Sequence, residues 1–388
     1  MPESSRTRIL QVITHLALGG AERVAFNLMR GLRDQYDFAL YAANGIDPGD
    51  VGQSMKHELE EMQVPLFVGT TVPIKFGGML LSGLWQARAV KRFKPDIIHL
   101  HTEIPESSYA SMVTLRPSLG RIPLVRTIHN SIYWDPWRKL GRWCDKHMPR
   151  SYVACVARGA QDAFEQLRAE SGGGPLPQPP VIIFNGVVVN GQPRPIGKLP
   201  DQHVHILFAG RFEDQKGADL LPQILRSVTP KVGQHCELII HGSGTHESVL
   251  RSLASSPPPG WTIQVNGPVP NLSAQMPQFD LMIMPSRYAG LALIAIEAAL
   301  LGLPVIATDG PGIREGFPAD YPWLASAGDA TSFASLLQTA LDAPASWASV
   351  VTQARDFAQT HFDLTAMCNA YTSLYSQALA VSHDLPRI

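Results

Sequence analysis

Short apolar runs and amphipathic stretches alternate along this chain, and glycine or proline punctuates them. The run ILQVITH (9–15) has the length of a buried strand. LALGG follows as a turn, and AERVAFNLMRGLR (21–33) spaces its apolar residues like an amphipathic helix. FALYAA (38–43) predicts a second strand, LLSGLWQARAVKRF (80–93) a helix and DIIHLH (96–101) a strand. PLVRTIH (123–129), SYVACVA (151–157) and VIIFNG (181–186) complete the strands of the first half.

The rhythm restarts after a loop rich in Gly and Pro, VVVNGQPRPIGKLPDQH (187–203). HILFAGRF (205–212), CELIIHG (236–242), WTIQVNG (261–267), DLMIMP (280–285) and PVIAT (304–308) predict strands. Helices are predicted over 218–228, about 246–255, 291–301, 331–341 and 347–360, and LTAMCNAYTSLYSQAL (364–379) closes the chain as another. Sequential strands joined by helices predict an α/β fold of two doubly wound, parallel, Rossmann-like sheets facing a cleft. The expected division is 1–186, a linker at 187–203, and 204–363, with a final helix over about 364–388 packing back on the first domain.

Composition adds little to this picture. With 388 residues, 45% hydrophobic and 17% charged, the chain can fill two globular cores. A formal charge of −1 argues against nucleic acid as a partner. Residues 1–190 carry 21 Lys and Arg against 17 Asp and Glu, so a mild basic excess sits in the first half. Four scattered cysteines form no zinc pattern and fit reduced thiols in a cytosol. The first residues read as a strand rather than a signal peptide, and no apolar run has the length of a membrane span.

Three stretches suggest chemistry. In LALGGAER (16–23), glycines between a strand and a helix free backbone N–H groups for an anion. This is not the dinucleotide fingerprint, and a plain tight turn is as good a reading. In GRFEDQKG (210–217), Arg211 and Lys216 flank a strand end where two cations can neutralise a diphosphate. In PSRYAGLALIAIEAALLG (285–302), Glu297 is the single charge between Ala289 and Gly302. A buried carboxylate there needs a partner: a ribose diol, or an internal Arg or backbone group. His99 and His101 share one strand face, but a third metal ligand at a convincing spacing is missing, so packing or acceptor contact is preferred. HELE (57–60) and HGSGTH (241–246) match neither a zinc protease nor a nucleophile elbow.

Taken in order, GGAER, a strand ending in His, NG, GR-x4-KG, PS-x3-G-x6-E-A and G-x-PVIAT resemble the retaining family 4 glycosyltransferases of GT-B fold. The resemblance runs from Ile9 to Tyr375 and extends to enzymes like glycogen synthase and phosphatidylinositol mannosyltransferase. It implies transfer of a hexosyl group from a UDP- or GDP-sugar to an acceptor hydroxyl, with no cofactor and no metal. By resemblance, Gly19 and Gly20 face the donor diphosphate and His129 contacts the donor sugar. Arg211 and Lys216 hold the leaving group, while Gly242 and Gly244 form a turn near the nucleotide. Gly267 to Val269 meet the base, Gly290 lies in the donor loop, Leu293 and Ile294 offer N–H groups to phosphate, and Glu297 grips the ribose.

One position departs from the family pattern. Ala289 stands where the first carboxylate of a Glu-x7-Glu motif is expected. The chain is then an inactivated variant, a natural variant using another residue, or a silent nucleotide- or sugar-binding relative. The first is preferred because the surrounding pattern is kept. Ala292, where glycine is common, is a milder change. NSIYWDPWRKLGRWCDKHMPR (130–150) mixes four aromatics with five Lys or Arg, and QARAVKRFK (86–94) adds a basic helix end. Both suit an anionic membrane or a lipid-linked acceptor, although an ordinary solvated helix explains them as well. The resemblance therefore implies polysaccharide or glycolipid synthesis in the cytoplasm, at the inner face of the membrane.

Overall fold

The computed structural model describes residues 6–17, 19–73, 76–196 and 202–382. Part of the expected linker, 197–201, lies outside the described residues, as do Leu18 in the glycine turn and residues 383–388 of the expected final helix. The chain divides into two compact units. Val187–Asp363 forms one, and the residues before it, together with Leu364 onward, form the other.

The first unit holds a seven-stranded sheet: β1 (Thr7–Ile13), β2 (Tyr36–Ala42), β3 (Leu66–Val68), β4 (Ile97–His101), β5 (Leu124–Ile128), β6 (Ser151–Cys155) and β7 (Val181–Ile182). Its helices are α1 (Gly20–Leu32), α2 (Asp50–Glu61), α3 (Gly78–Phe93), α4 (Glu103–Leu115), α5 (Arg138–Lys146) and α6 (Arg158–Ser171). The strand order is β3-β2-β1-β4-β5-β6-β7, with every pairing parallel. Chain direction across the sheet reverses between β1 and β4, and such a switch point opens a crevice at the strand carboxyl ends. Strands β4, β5 and β6 are buried at every residue, which explains their largely apolar sequences.

The second unit repeats the plan with six strands: β8 (His203–Ala209), β9 (His235–His241), β10 (Trp261–Asn266), β11 (Leu281–Met284), β12 (Val305–Thr308) and β13 (Leu324–Ala325). Helices α7 (Leu221–Arg226), α8 (Glu247–Ser255), α9 (Leu293–Leu300), α10 (Ala330–Asp342) and α11 (Trp347–His361) accompany them. The order β10-β9-β8-β11-β12-β13 puts its switch point between β8 and β11. Helix α12 (Leu364–Ser382) then packs on α1, β4 and β5 of the first unit. The two doubly wound sheets of the sequence reading are therefore present.

Several details differ from that reading. The helix expected over 218–228 is broken, because Pro222 follows a short 3-10 turn and the α-helix starts only at Leu221. The strand expected over 181–186 pairs only at Val181 and Ile182. The expected linker is not loose where it is described: Arg194 is buried, pairs with Asp280 at 2.5 Å, and its N–H bonds Leu301 O at 2.8 Å. Helix α4, EIPESSYASMVTL, was not predicted. Its serines and Pro105 mask the helical period, yet it is buried from Pro105 to Val113.

Beneath α4 lies a buried ion cluster centred on Arg126 of β5. Its guanidinium bonds Glu106 and Asp145, each at 2.9 Å, and Tyr133 Oη at 3.0 Å. Arg168 Nη1 donates to both carboxylate oxygens of Asp145 at 3.0 Å, and Trp134 Nε1 donates to Glu106 at 3.0 Å. Two cations meet two carboxylates, so the charge is neutralised where water cannot do it. This accounts for Arg126 inside a fully buried strand.

Candidate functional site

In the first unit the β1–α1 connection is a strand–turn–helix, as its glycines suggest. Gly19 is the N-cap of α1 in extended conformation, and Gly20 begins the helix. On the far side of the switch point, β4 ends in His101 and turns at Thr102. Thr102 has φ 72° and ψ 179°, a region that β-branched residues avoid. The Thr14 and Thr102 hydroxyls meet at 2.8 Å across the switch point, and Thr102 N–H reaches Thr127 O at 3.5 Å. Sequence reasoning missed Thr102, since no local pattern announces a strained turn.

His129 follows β5 at the same edge and is 8% exposed. Burial drives its pKa down to about 3, so the imidazole is neutral at physiological pH. Its Nε2 meets His101 Nδ1 at 3.0 Å. Beside it Asn130 donates to both carboxylate oxygens of Glu103, each at 3.2 Å. Burial, with the charge of Glu106 nearby, raises the Glu103 pKa against those hydrogen bonds. Glu103 was also missed, being one acidic residue among several at a helix start. A cavity of about 400 Å³ opens among the loops that follow β1, β2 and β3, with His15, Asn44, Asp47 and Thr71 as its polar lining.

His99 and His101 are accounted for without a metal. Both ring nitrogens of each are engaged: His99 with Tyr375 and Thr127, His101 with His129 and Gln11. The stretch 130–150 is less of a surface than its composition suggested. Tyr133 and Trp134 are buried, while Trp137 is 49% exposed.

In the second unit the loops after β8, β11 and β12 converge. Arg211 is exposed and reaches Gln215 at 2.5 Å. Lys216 is partly exposed, but desolvation of its ammonium, then the charge of Arg211, lowers its pKa to about 8. No hydrogen bond or ion pair to that ammonium occurs among the described residues. Gly217, at φ +70°, lets the loop touch the next one: a Cβ there would sit 2.0 Å from Pro285 O. Arg287 completes the tie, with both guanidinium nitrogens 2.7 Å from the Asp219 carboxylate and its N–H 2.9 Å from Gln215 O. Gly242 of the HGSG turn packs on the same loop, where a Cβ would lie 1.9 Å from Gly210 O, and Gly244 lies beside Phe212.

Ala289 is buried, and its N–H bonds Pro311 O at 2.9 Å. Gly290 lies between it and the α9 start, where Leu293 and Ile294 occupy the first turn. Glu297 is partly exposed rather than fully buried, and the protein already engages it, so the supposed isolated buried charge is milder than it looked. Gly267 stands in open space after β10, and Val269 is partly exposed beyond it. The structure thus groups Arg211, Lys216, Gly242, Gly244, Ala289 and Gly290 through contacting loops. Glu297, Leu293 and Ile294 follow on α9. Gly19, Gly20 and His129 belong to the other unit. Asp214, Asp219 and His246 place ligand atoms within 4.8 Å of one another. Asp219 is already forked by Arg287, and His246 bonds Asp214 at 2.6 Å.

Two family models match the chain, "Glycosyltransferase Family 4" over 18–190 and "Glycosyl transferases group 1" over 203–343. The chain belongs to the family 4-like glycosyltransferases of GT-B fold. Among solved structures, this glycosyltransferase is similar to Anabaena Alr3699/HepE in complex with UDP and glucose. The TM-score is 0.75 at 19% identity, over 96% of this chain and 100% of that one. It is also similar to an uncharacterized 41.2 kDa protein in the cps region of Klebsiella pneumoniae, at 23% identity over 74% of this chain and 80% of that protein. A D-inositol 3-phosphate glycosyltransferase of Arthrobacter sp. (strain FB24) is 31% identical over 38% of this chain and 36% of that protein.

Proposed function

We propose that this glycosyltransferase moves a hexosyl group from a nucleotide-diphosphate sugar to an acceptor hydroxyl with retention at the anomeric carbon. The observation that carries this is Lys216: a desolvated ammonium without an anionic partner among the described residues, next to Arg211, at a switch point. A diphosphate supplies the missing charge. The UDP and glucose held by the Anabaena neighbour support a nucleotide-sugar donor.

In this reading Arg211, Lys216 and the N–H groups of Leu293 and Ile294 stabilise the departing diphosphate without a metal. Gly242 and Gly244 approach the nucleotide, Gly267 to Val269 meet the base, and Glu297 accepts from the ribose hydroxyls. Gly19 and Gly20 face the diphosphate, and His129 meets the donor sugar. The bond from the anomeric carbon to the diphosphate oxygen breaks as the acceptor oxygen bonds the same face. The acceptor proton passes to the departing phosphate oxygen. The polar-lined cavity beside β1 and β2 suits a carbohydrate acceptor.

A membrane-bound, lipid-linked acceptor is favoured by one surface of α3. Leu80, Leu81, Leu84 and Trp85 are exposed there, Arg88 stacks 4.3 Å above the Trp85 ring, and Lys91 and Arg92 end the helix. No helix among the described residues is long and apolar enough to cross a membrane. Contact with the inner face is then peripheral, and the product is a polysaccharide or glycolipid.

The second reading is a chain that binds donor but turns it over poorly, since Ala289 offers no side-chain acceptor. Ala289→Glu against a panel of UDP-, GDP- and ADP-sugars separates the two. Transfer or donor hydrolysis appearing or rising sharply supports the enzyme reading. Silence from both proteins, with nucleotide binding intact, favours a binding role.

A further inference from the structure

The first unit contains a continuous buried hydrogen-bonded chain that ends on His129, and the proposed reaction gives its other members no role. Gln11 of β1 is fully buried. Its Nε2 donates to Tyr375 Oη at 3.2 Å, and its Oε1 lies 2.7 Å from His101 Nε2. His101 Nδ1 then lies 3.0 Å from His129 Nε2. On the other side, Tyr375 Oη lies 2.8 Å from His99 Nδ1, His99 Nε2 lies 2.7 Å from Thr127 Oγ1, and Thr127 Oγ1 lies 2.9 Å from Tyr371 Oη.

The donor sense follows from Gln11. Its carbonyl oxygen can only accept, so His101 carries its proton on Nε2. Burial holds His101 far below its usual pKa, so the ring is neutral and Nδ1 is left as a lone pair. The bond at 3.0 Å therefore needs a proton on His129 Nε2. Tyr375, having accepted from Gln11, gives its single proton to His99 Nδ1, and His99 donates from Nε2 to Thr127. Every histidine of the chain is the Nε2–H tautomer. His129 Nδ1 is left as an acceptor without a hydrogen-bond partner among the described residues.

We propose that Gln11 and Tyr375 are positioning residues: through His101 they fix the His129 ring as a neutral Nε2–H tautomer that presents Nδ1 to a ligand hydroxyl. The assignment of that hydroxyl to the donor sugar rests on the function proposed above; the tautomer does not. A neutral acceptor in a dry site favours a ligand O–H over a carbonyl or a phosphate oxygen, which offer no proton. Helix α12 thereby acts on His129 through Gln11 and His101, although Tyr375 lies 364 positions from Gln11 in the chain.

Selective 15N-histidine labelling and long-range 1H–15N correlation test this directly, with His129→Gln assigning the signals. In the unmodified protein, His99, His101 and His129 should each show the Nε2–H pattern. An Nδ1–H pattern at His129 overturns the proposal before any further variant is made. Gln11→Met and Tyr375→Phe should each leave His129 as a tautomer mixture. Tyr371→Phe, on the same helix, should not, because Thr127 still accepts from His99. Equal disturbance by Tyr371→Phe, or none by Gln11→Met, refutes the relay. UDP and UDP-glucose titrations complete the test. The gain in affinity from UDP to UDP-glucose should shrink by about tenfold in Gln11→Met, with UDP itself unchanged. If unmodified protein binds neither ligand, a UDP-glucose donor is excluded while the spectra still decide the relay.

Discussion

At the scale of single residues, Lys216 is the most informative side chain, and its protonation can be read from outside. Its ammonium has a pKa of about 8 in the free protein. A diphosphate binds the charged form and raises that pKa, so binding takes up protons only once the free lysine has begun to lose them. The expected affinity for UDP is flat below pH 8 and weakens above it, approaching tenfold per pH unit. Calorimetric titrations at pH 6.5 to 9.5 check this, and Lys216→Met should bind weakly with no such bend. An unchanged bend in Lys216→Met would remove Lys216 from the site. Gly217 gives a second residue-level expectation. Ala there meets Pro285 O and must adopt positive φ, so Gly217→Ala should cost about 1 to 3 kcal/mol in urea unfolding. It should also weaken UDP binding by displacing Lys216.

At the scale of elements, apolar runs located most of the central strands, because a strand buried on both faces is largely apolar and admits a polar residue only where the fold pairs it, as at His99, His101 and Arg126. Helices were legible where the period was clean, as in α1 and α3. Helix α4 was not, because its buried positions mix Glu106, Ser107, Ser108 and Ser111 with Tyr109, Met112 and Val113, so no clean apolar face shows in the sequence. What stabilises α4 is tertiary: Glu106 on it neutralises Arg126 on β5. Arg126→Met would leave Glu106 and Asp145 short of their shared cation in a dry interior. The expected loss is about 3 to 5 kcal/mol by denaturant unfolding. A loss below about 1 kcal/mol would mean the cluster is dispensable. The strand-end residues of the candidate site were legible by type and order, whereas the Arg287–Asp219 fork that ties their loops was not, since its partners lie 68 positions apart.

For the whole molecule, three buried neutral histidines set an acid limit. His99, His101 and His129 all have lowered pKa values, chiefly from burial. The unfolded chain takes up protons at these positions below about pH 6.5 while the folded chain does not. Their contribution to stability is therefore fully present above pH 6.5 and is lost as pH falls towards the folded values. Each can remove about 1.4 kcal/mol per pH unit in that window. Urea midpoints should hold from pH 8 to 7 and fall steadily from pH 6.5 to 5, and a flat profile would contradict the neutral relay. The exposed face of α3 predicts a second global property: sedimentation with anionic vesicles but not with zwitterionic ones, reduced by Leu84→Ser and Trp85→Ser.

The order of strands, turns and cationic loops was in the sequence, because backbone burial and strand–helix connection are local demands that each segment meets with its own residues. The residue types of the proposed diphosphate site could be read for the same reason, since Arg211, Lys216 and their glycines lie within one loop. The tertiary structure alone decided which polar groups satisfy one another in the interior. Gln11, His101, His129 and Tyr375 have no shared spacing. They become one hydrogen-bonded chain because parallel strands β1, β4 and β5 lie side by side and α12 covers them. A buried donor must find an acceptor wherever the fold brings one, and that neighbour is set by topology rather than by position in the chain.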